Sequence, residues 1–161
     1  MPRPVKNEKQ LLELAQFYCS RRETSRLNLR RYLLGKIDPD SALIDALDAV
    51  LDKCERLKII DHERYAEILT RESARRGKGR LYLEQIFEKK GLTDEFKKVE
   101  FSEEAEYERA VLLANKTFSL ARIQHLEDTS LRKQKVMQKL VASGFEFPIA
   151  EKAIAHALKK E

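Results

Sequence analysis

Residues 75–92, RRGKGRLYLEQIFEKKGL, join a basic turn broken by two glycines to a short amphipathic helix that stops at a third. The stretch recurs along the chain. Leu83, Phe87, Gly91 and Leu92 fall over Val136, Leu140, Gly144 and Phe145, each pair 53 residues apart. In the other direction Leu83 and Phe87 fall over Leu29 and Leu33 at a spacing of 54, where the expected glycine is Ile37. A unit that cannot bury its own apolar face stacks on its neighbours, so a fixed period predicts a modular helical protein.

Working outward, the apolar spacing fills in the modules. Leu11, Leu14, Ala15 and Tyr18 form one helical stripe. Thr24 or Ser25 is placed to cap a second helix carrying Leu29, Tyr32 and Leu33, which Gly35 and Pro39 end. Asp40 or Ser41 opens a third, with Leu43, Leu47, Val50, Cys54 and Leu57 at helical spacing. Residues 57–60 make an apolar link. Asp61 then caps a fourth helix with Tyr65, Ile68 and Leu69 inward, the recurring helix follows with Leu83, Ile86 and Phe87, and a sixth covers Phe96, Val99 and Phe101. Tyr107, Ala110, Val111, Ala114 and Phe118 mark a seventh helix, and Val136, Leu140 and Val141 an eighth ending at Gly144. Pro148 sits in the first turn of a ninth with Ile149, Ala153, Ala157 and Leu158. Residues 119–130 read either as an extension of the seventh helix or as a break. The expectation is an all-α protein, an elongated array of three tandem three-helix repeats, divided at 1–58, 59–101 and 102–161.

Composition agrees with this class. Hydrophobic residues make up 42% of the 161, charged residues 37%, and there are only 5 Gly, 4 Pro and no Trp, which suits packed helices rather than a β-sandwich. No stretch has the apolar length that crosses a bilayer, and the polar residues 1–10 lack the core of a secretory signal, so a cytoplasmic location is expected. Cys19 and Cys54, with no CxxC and no nearby His pair, are expected to be free thiols.

Nothing in the sequence assembles a catalytic centre, cofactor site or metal site. His62, His125 and His156 are scattered without metal-ligand spacing, and the GKG of residues 77–79 lacks the rest of a phosphate-binding loop. Charge is the informative feature. The net +5 is distributed unevenly: residues 21–36 hold six basic side chains against Glu23, residues 71–80 hold five against Glu72, and residues 94–108 hold seven acidic against two basic. The acidic run has no calcium-loop pattern and reads as a solvated helix face or a docking surface for a basic partner. The basic clusters read either as a surface kept soluble by charge or, as we favour, as a polyanion-binding face, since Lys and Arg neutralise phosphates without any base contact. The candidate residues are Arg22, Arg26, Arg30 and Arg31 in the first repeat and Arg71, Arg75, Arg76, Lys78 and Arg80 in the second, with an echo at Arg132, Lys133, Lys135 and Lys139.

With these residues in place, the chain resembles the RecX family of bacterial recombination regulators. The family's Arg-x-x-Ser-Arg before a Leu-rich helix stands here as Arg22, Ser25, Arg26, Leu29 and Leu33. Its entry into the fourth helix stands as Ile60, Asp61, Tyr65 and Ala66, its turn and helix stop as Gly77, Gly79, Lys90, Gly91 and Leu92, and its closing pair as Gly144 and Phe145. Three positions depart from the pattern. Residues 82–87, YLEQIF, replace Arg-Ile-x-x-Glu-Leu, His62 stands at the second position of an Asp-Asp pair, and the first repeat lacks its glycine. The lost Arg moves the expected contact to Arg75, Arg76, Lys78 and Arg80. The resemblance implies a monomeric, non-enzymatic regulator without cofactor. Such a protein binds the RecA filament, touches single-stranded DNA weakly and without sequence preference, and restrains RecA activity in DNA repair, recombination and the SOS response. The rival classes are a helical DNA-binding or transcriptional module, for which Asn28 and Gln85 are the main base-reading candidates, and an adaptor that binds only proteins.

Overall fold

Ten helices and no strand make up the described residues, 4–160, of the computed structural model: α1 Glu8–Arg21, α2 Arg26–Leu34, α3 Leu43–Arg56, α4 His62–Arg75, α5 Arg80–Lys90, α6 Thr93–Phe96, α7 Glu103–Phe118, α8 Ala121–Gln124, α9 Thr129–Ala142 and α10 Phe147–Leu158. The chain is all-α, as its patterning implies. The tenth helix arises from residues 119–130. There Leu120 turns the chain, α8 makes a single short helix carrying buried Ile123, and the Asp128 carboxylate accepts the Ser130 N–H at 2.8 Å to start α9. Met1–Arg3, part of the polar start, and Glu161 lie outside the described residues.

The helices group into two compact units, one comprising the residues up to Glu67 with Phe87–Glu95, the other Ile68–Ile86 with the residues from Phe96 onward. In the first, α1, α2 and α3 pack around Leu11, Ala15, Leu29, Leu33, Leu47, Val50, Leu51 and Cys54. Local chemistry sets the helix starts. Ser25 Oγ accepts the Asn28 N–H, and Asp61 accepts the Arg64 N–H at 3.0 Å, a bond that holds the Asp61 carboxyl below its usual range. The helix ends differ from one another. Gly35 closes α2 in ordinary right-handed conformation, whereas α3 ends on Lys58 at φ 55°, with the Ile59 and Ile60 N–H groups both reaching Cys54 O. Two apolar positions at helical spacing turn outward: Leu57 is 53% exposed because it sits on that reversal, and Val141 in the other unit is 49% exposed. Ile68, Leu69 and Ile86 are half-buried rather than fully inward, as are Val99 and Phe101 beyond the end of α6. A left-handed lysine is strained where glycine is not, so Lys58→Gly is expected to raise stability by about 0.5–1 kcal/mol, read as a higher denaturation midpoint with unchanged slope.

In the second unit α7 lies against α9 and α10 over Ala110, Ala114, Phe118, Val136, Leu140, Phe145, Ala150, Ala153 and Ile154. Alanines on α7 and α10 let those two helices approach closely. Ser102 caps α7 and Pro148 occupies the first turn of α10. Equivalent positions of the recurring stretch behave alike. Leu83, Phe87 and Leu92 are buried, as are Val136, Leu140 and Phe145 and, earlier, Leu29, Leu33 and Ile37. Gly91 at φ 70° and Gly144 at φ 90° end their helices with the same bonds: Leu92 N–H to Phe87 O at 2.8 Å and Phe145 N–H to Leu140 O at 3.2 Å. Leu83 is 4% exposed, so Leu83→Ala is expected to cost about 2–5 kcal/mol as a core truncation, measured by urea unfolding. A cost below about 1 kcal/mol would mean that the site is not core.

Candidate functional site

The candidate arginines of the first unit differ in what they face. Arg26 opens α2, and its guanidinium meets a row of carboxylates one and two turns apart on α3: Asp52 at 2.6 Å, Glu55 at 3.2 Å and Asp48 at 3.6 Å. Partial burial alone would lower its pKa, but the Asp52 hydrogen bond with the Glu55, Asp52 and Asp48 charges holds it above its ordinary value. Its charge is therefore used within the unit. Arg30 lies 3.8 Å from Asp48 at the edge of the same row. Arg31 is exposed and pairs with no carboxylate among the described residues, and Arg22 lies over the Tyr18 ring at 5.0 Å instead. Tyr18 stacks on Tyr32 at 4.1 Å, Lys36 reaches the Tyr32 ring at 5.5 Å, and Arg21 covers half-exposed Phe17 at 4.4 Å. Cations thus rest on rings along α1 and around α2. Arg21 and Lys36 belong to the basic run but not to the chosen candidates, and the three rings add an aromatic component signalled in part by the adjacent pair Phe17–Tyr18.

His62, which replaces an acidic residue of the resembled pattern, has a defined structural role. Its Nε2 accepts the Arg26 backbone N–H at 3.0 Å, satisfying the first turn of α2 alongside Ser25, and its Nδ1 lies 3.7 Å from Glu95. His156 shares a hydrogen bond with Tyr107 at 3.1 Å, and the described residues contain no cluster of three potential metal ligands. Both thiols are free. Burial, then the neighbouring Cys54 and Glu23, push the Cys19 thiol up to about 11, and burial raises Cys54 as well. Neither is a thiolate at neutral pH, so neither is an activated nucleophile.

The second basic cluster is built around the α4–α5 turn. Gly77 at φ 67° reverses the chain, and Gly79 lies against the end of α9, its N–H donating to Ser143 O at 2.9 Å while the Leu81 N–H donates to Gly144 O at 3.0 Å. This seating presents the cations. Arg71 and Arg75 are exposed on α4. Arg76 and Lys78 converge on the Tyr82 ring, at 6.0 and 5.0 Å, and Arg80 lies over Phe101 at 4.9 Å. None of the five pairs with a carboxylate within 4 Å among the described residues. Tyr82 occupies the place of the absent pattern arginine and serves as a platform on which two cations rest. The acidic run is not uniformly solvated: Glu103, Glu104 and Glu108 are exposed, but Glu106 is 4% exposed and accepts the Arg80 N–H at 2.8 Å. No helix among the described residues is long and apolar enough to cross a membrane.

Comparison with known proteins locates this architecture. Neither a family model nor a curated relative matches the sequence. Solved structures match over nearly the whole chain. The crystal structure of RecX from Lactobacillus salivarius is similar with a TM-score of 0.76 at 22% identity, over 92% of this chain and 95% of that one. A crystal structure of regulatory protein RecX is similar with a TM-score of 0.72 at 23% identity, over 98% of this chain and 81% of that one. The chain has the RecX fold.

Proposed function

We propose that this chain is a RecX-family regulator that acts by binding, not by catalysis, on the RecA recombinase and its filament on single-stranded DNA, restraining ATPase, strand-exchange and co-protease activities in DNA repair. The observation that carries this reading is the RecX fold over 92% and 98% of the chain in the two comparisons. The basic surfaces support it. Arg22 and Arg31 in one unit, and Arg71, Arg75, Arg76, Lys78 and Arg80 in the other, pair with no carboxylate within 4 Å among the described residues, and several sit beside rings. Cations alternating with aromatic faces suit an unpaired strand, whose phosphates and exposed bases use both. We further propose the organisation that the period implies, three three-helix modules at 1–58, 59–101 and 102–161, working as a cytoplasmic monomer without cofactor.

The deciding experiment is RecA-dependent ATP hydrolysis on single-stranded DNA with and without this protein. Inhibition at stoichiometry well below one per RecA protomer supports regulation of the filament, and an unchanged rate across the titration removes the reading. DNA binding by the isolated protein is expected to be weak, indifferent to sequence and steeply reduced by salt. A duplex site preferred and retained at high salt would instead establish the transcriptional class.

A further inference from the structure

A cavity of about 210 Å³ opens within the second unit beneath the α4–α5 turn, lined by Ser73, Lys78, Arg80, Phe101 and Arg109, with Glu100 on its wall. Its polar groups have unmet bonding capacity. Ser73 is 7% exposed and its hydroxyl has no hydrogen-bond partner among the described residues; a buried hydroxyl left so is costly unless something supplies the bond. Arg109 is half-buried. Its Nε donates to Lys78 O at 3.3 Å, which fixes the plane of the guanidinium while its two terminal amino groups meet no acceptor among the described residues. Lys78 and Arg80 complete three cations, none within 4 Å of a carboxylate among the described residues, and Arg80 is held at the wall by the Phe101 ring. The first N–H of α5 is already taken by Glu106, so the side chains, not the helix terminus, define the site.

From this geometry we propose that the cavity binds a phosphate group. The donors arrive from four elements, α4, the turn, α5 and α7, and so approach from several directions. A tetrahedral oxyanion offers an oxygen to each, whereas a planar carboxylate offers two in one plane. The volume is many times the ~10–15 Å³ that one water needs on the same measure, and exposed Arg80 and Glu100 place the mouth at solvent. The inference does not depend on RecA: it concerns what this chain binds by itself.

Titration calorimetry with inorganic phosphate against chloride at constant ionic strength tests it, using the parent, Ser73→Ala and Arg109→Gln. The parent is expected to bind phosphate and not chloride, and each variant to bind about tenfold more weakly, the loss of one hydrogen bond to a charged group. Ser73→Ala removes a buried hydroxyl that is costly without a partner and is therefore expected to melt in chloride at or above the parent temperature, which separates loss of binding from loss of folding. A short oligothymidylate added to the phosphate-loaded parent identifies the source. Competition assigns the site to a nucleic-acid phosphodiester, and binding of phosphate without competition assigns it to a free phosphate compound. Equal heats with phosphate and chloride, or both variants binding phosphate as the parent does, would overturn the proposal.

Discussion

Gly144→Ala is expected to destabilise the chain by about 3–5 kcal/mol, whereas Gly77→Ala costs only about 1 kcal/mol. Both glycines have positive φ, so both substitutions carry the penalty of placing an L residue in the left-handed region. Their surroundings separate them. A Cβ on Gly77 meets nothing within 4 Å, but one on Gly144 falls 2.3 Å from Tyr82 N and 2.4 Å from Tyr82 Cβ. Those atoms belong to the first turn of α5, pinned by the Leu81 bond to Gly144 O, so no flexible side-chain end is free to yield. Gly79→Ala strikes the same junction from the other side, 2.3 Å from Gly144 O, and is expected to behave like Gly144→Ala. Urea unfolding monitored by circular dichroism distinguishes the cases. Equal midpoints for Gly144→Ala and Gly77→Ala would show that the two backbones do not touch in solution.

The other large effect is functional. Changing Arg75, Arg76, Lys78 and Arg80 together to Ala is expected to leave helical content intact and to raise the concentration needed for half-inhibition of RecA ATPase by at least about tenfold. Exposed single charges contribute little, but several unneutralised cations facing one polyanion or acidic groove add up. Among the described residues none of these four lies within 4 Å of a carboxylate, in contrast to Arg26, whose charge Asp52, Glu55 and Asp48 already occupy. Lys159→Ala with Lys160→Ala, just beyond the end of α10, is expected to change inhibition far less. A fourfold variant that inhibits like the parent at physiological salt would make this surface merely solvating, and the exposed edge of α7 at Glu103, Glu104 and Glu108 would become the docking candidate.

Much of the architecture was legible because it rests on relations within one or two helical turns. The recurrence of Leu83, Phe87, Gly91 and Leu92 at Val136, Leu140, Gly144 and Phe145 marked equivalent buried positions and two left-handed helix stops. Ser25, Asp61 and Pro148 announced helix starts, since a cap needs only a donor or acceptor two or three residues away. The break at residues 119–130 stayed ambiguous because its apolar spacing fits a continued helix, and the Asp128 cap resolves it. Local spacing also failed at Leu57 and Val141, which keep helical register but lie where no neighbouring helix covers them.

The candidate surface was legible only as charge. In sequence Arg26 and Arg31 are the same residue type on one helix; Asp52 and Glu55, 26 and 29 residues beyond Arg26, neutralise the first and leave the second. Glu106 is one of seven acids in its run, and only the packing of α7 against the α4–α5 turn buries it on the Arg80 N–H. Arg109, Ser73 and Phe101 carry no motif, and folding alone brings them around one cavity. Helix periods, caps and stops are thus set by the chain itself, because they depend on neighbours along it. Which charges stay free, and which polar groups are left wanting a partner, is decided by tertiary structure, because charges pair across faces that only packing brings together.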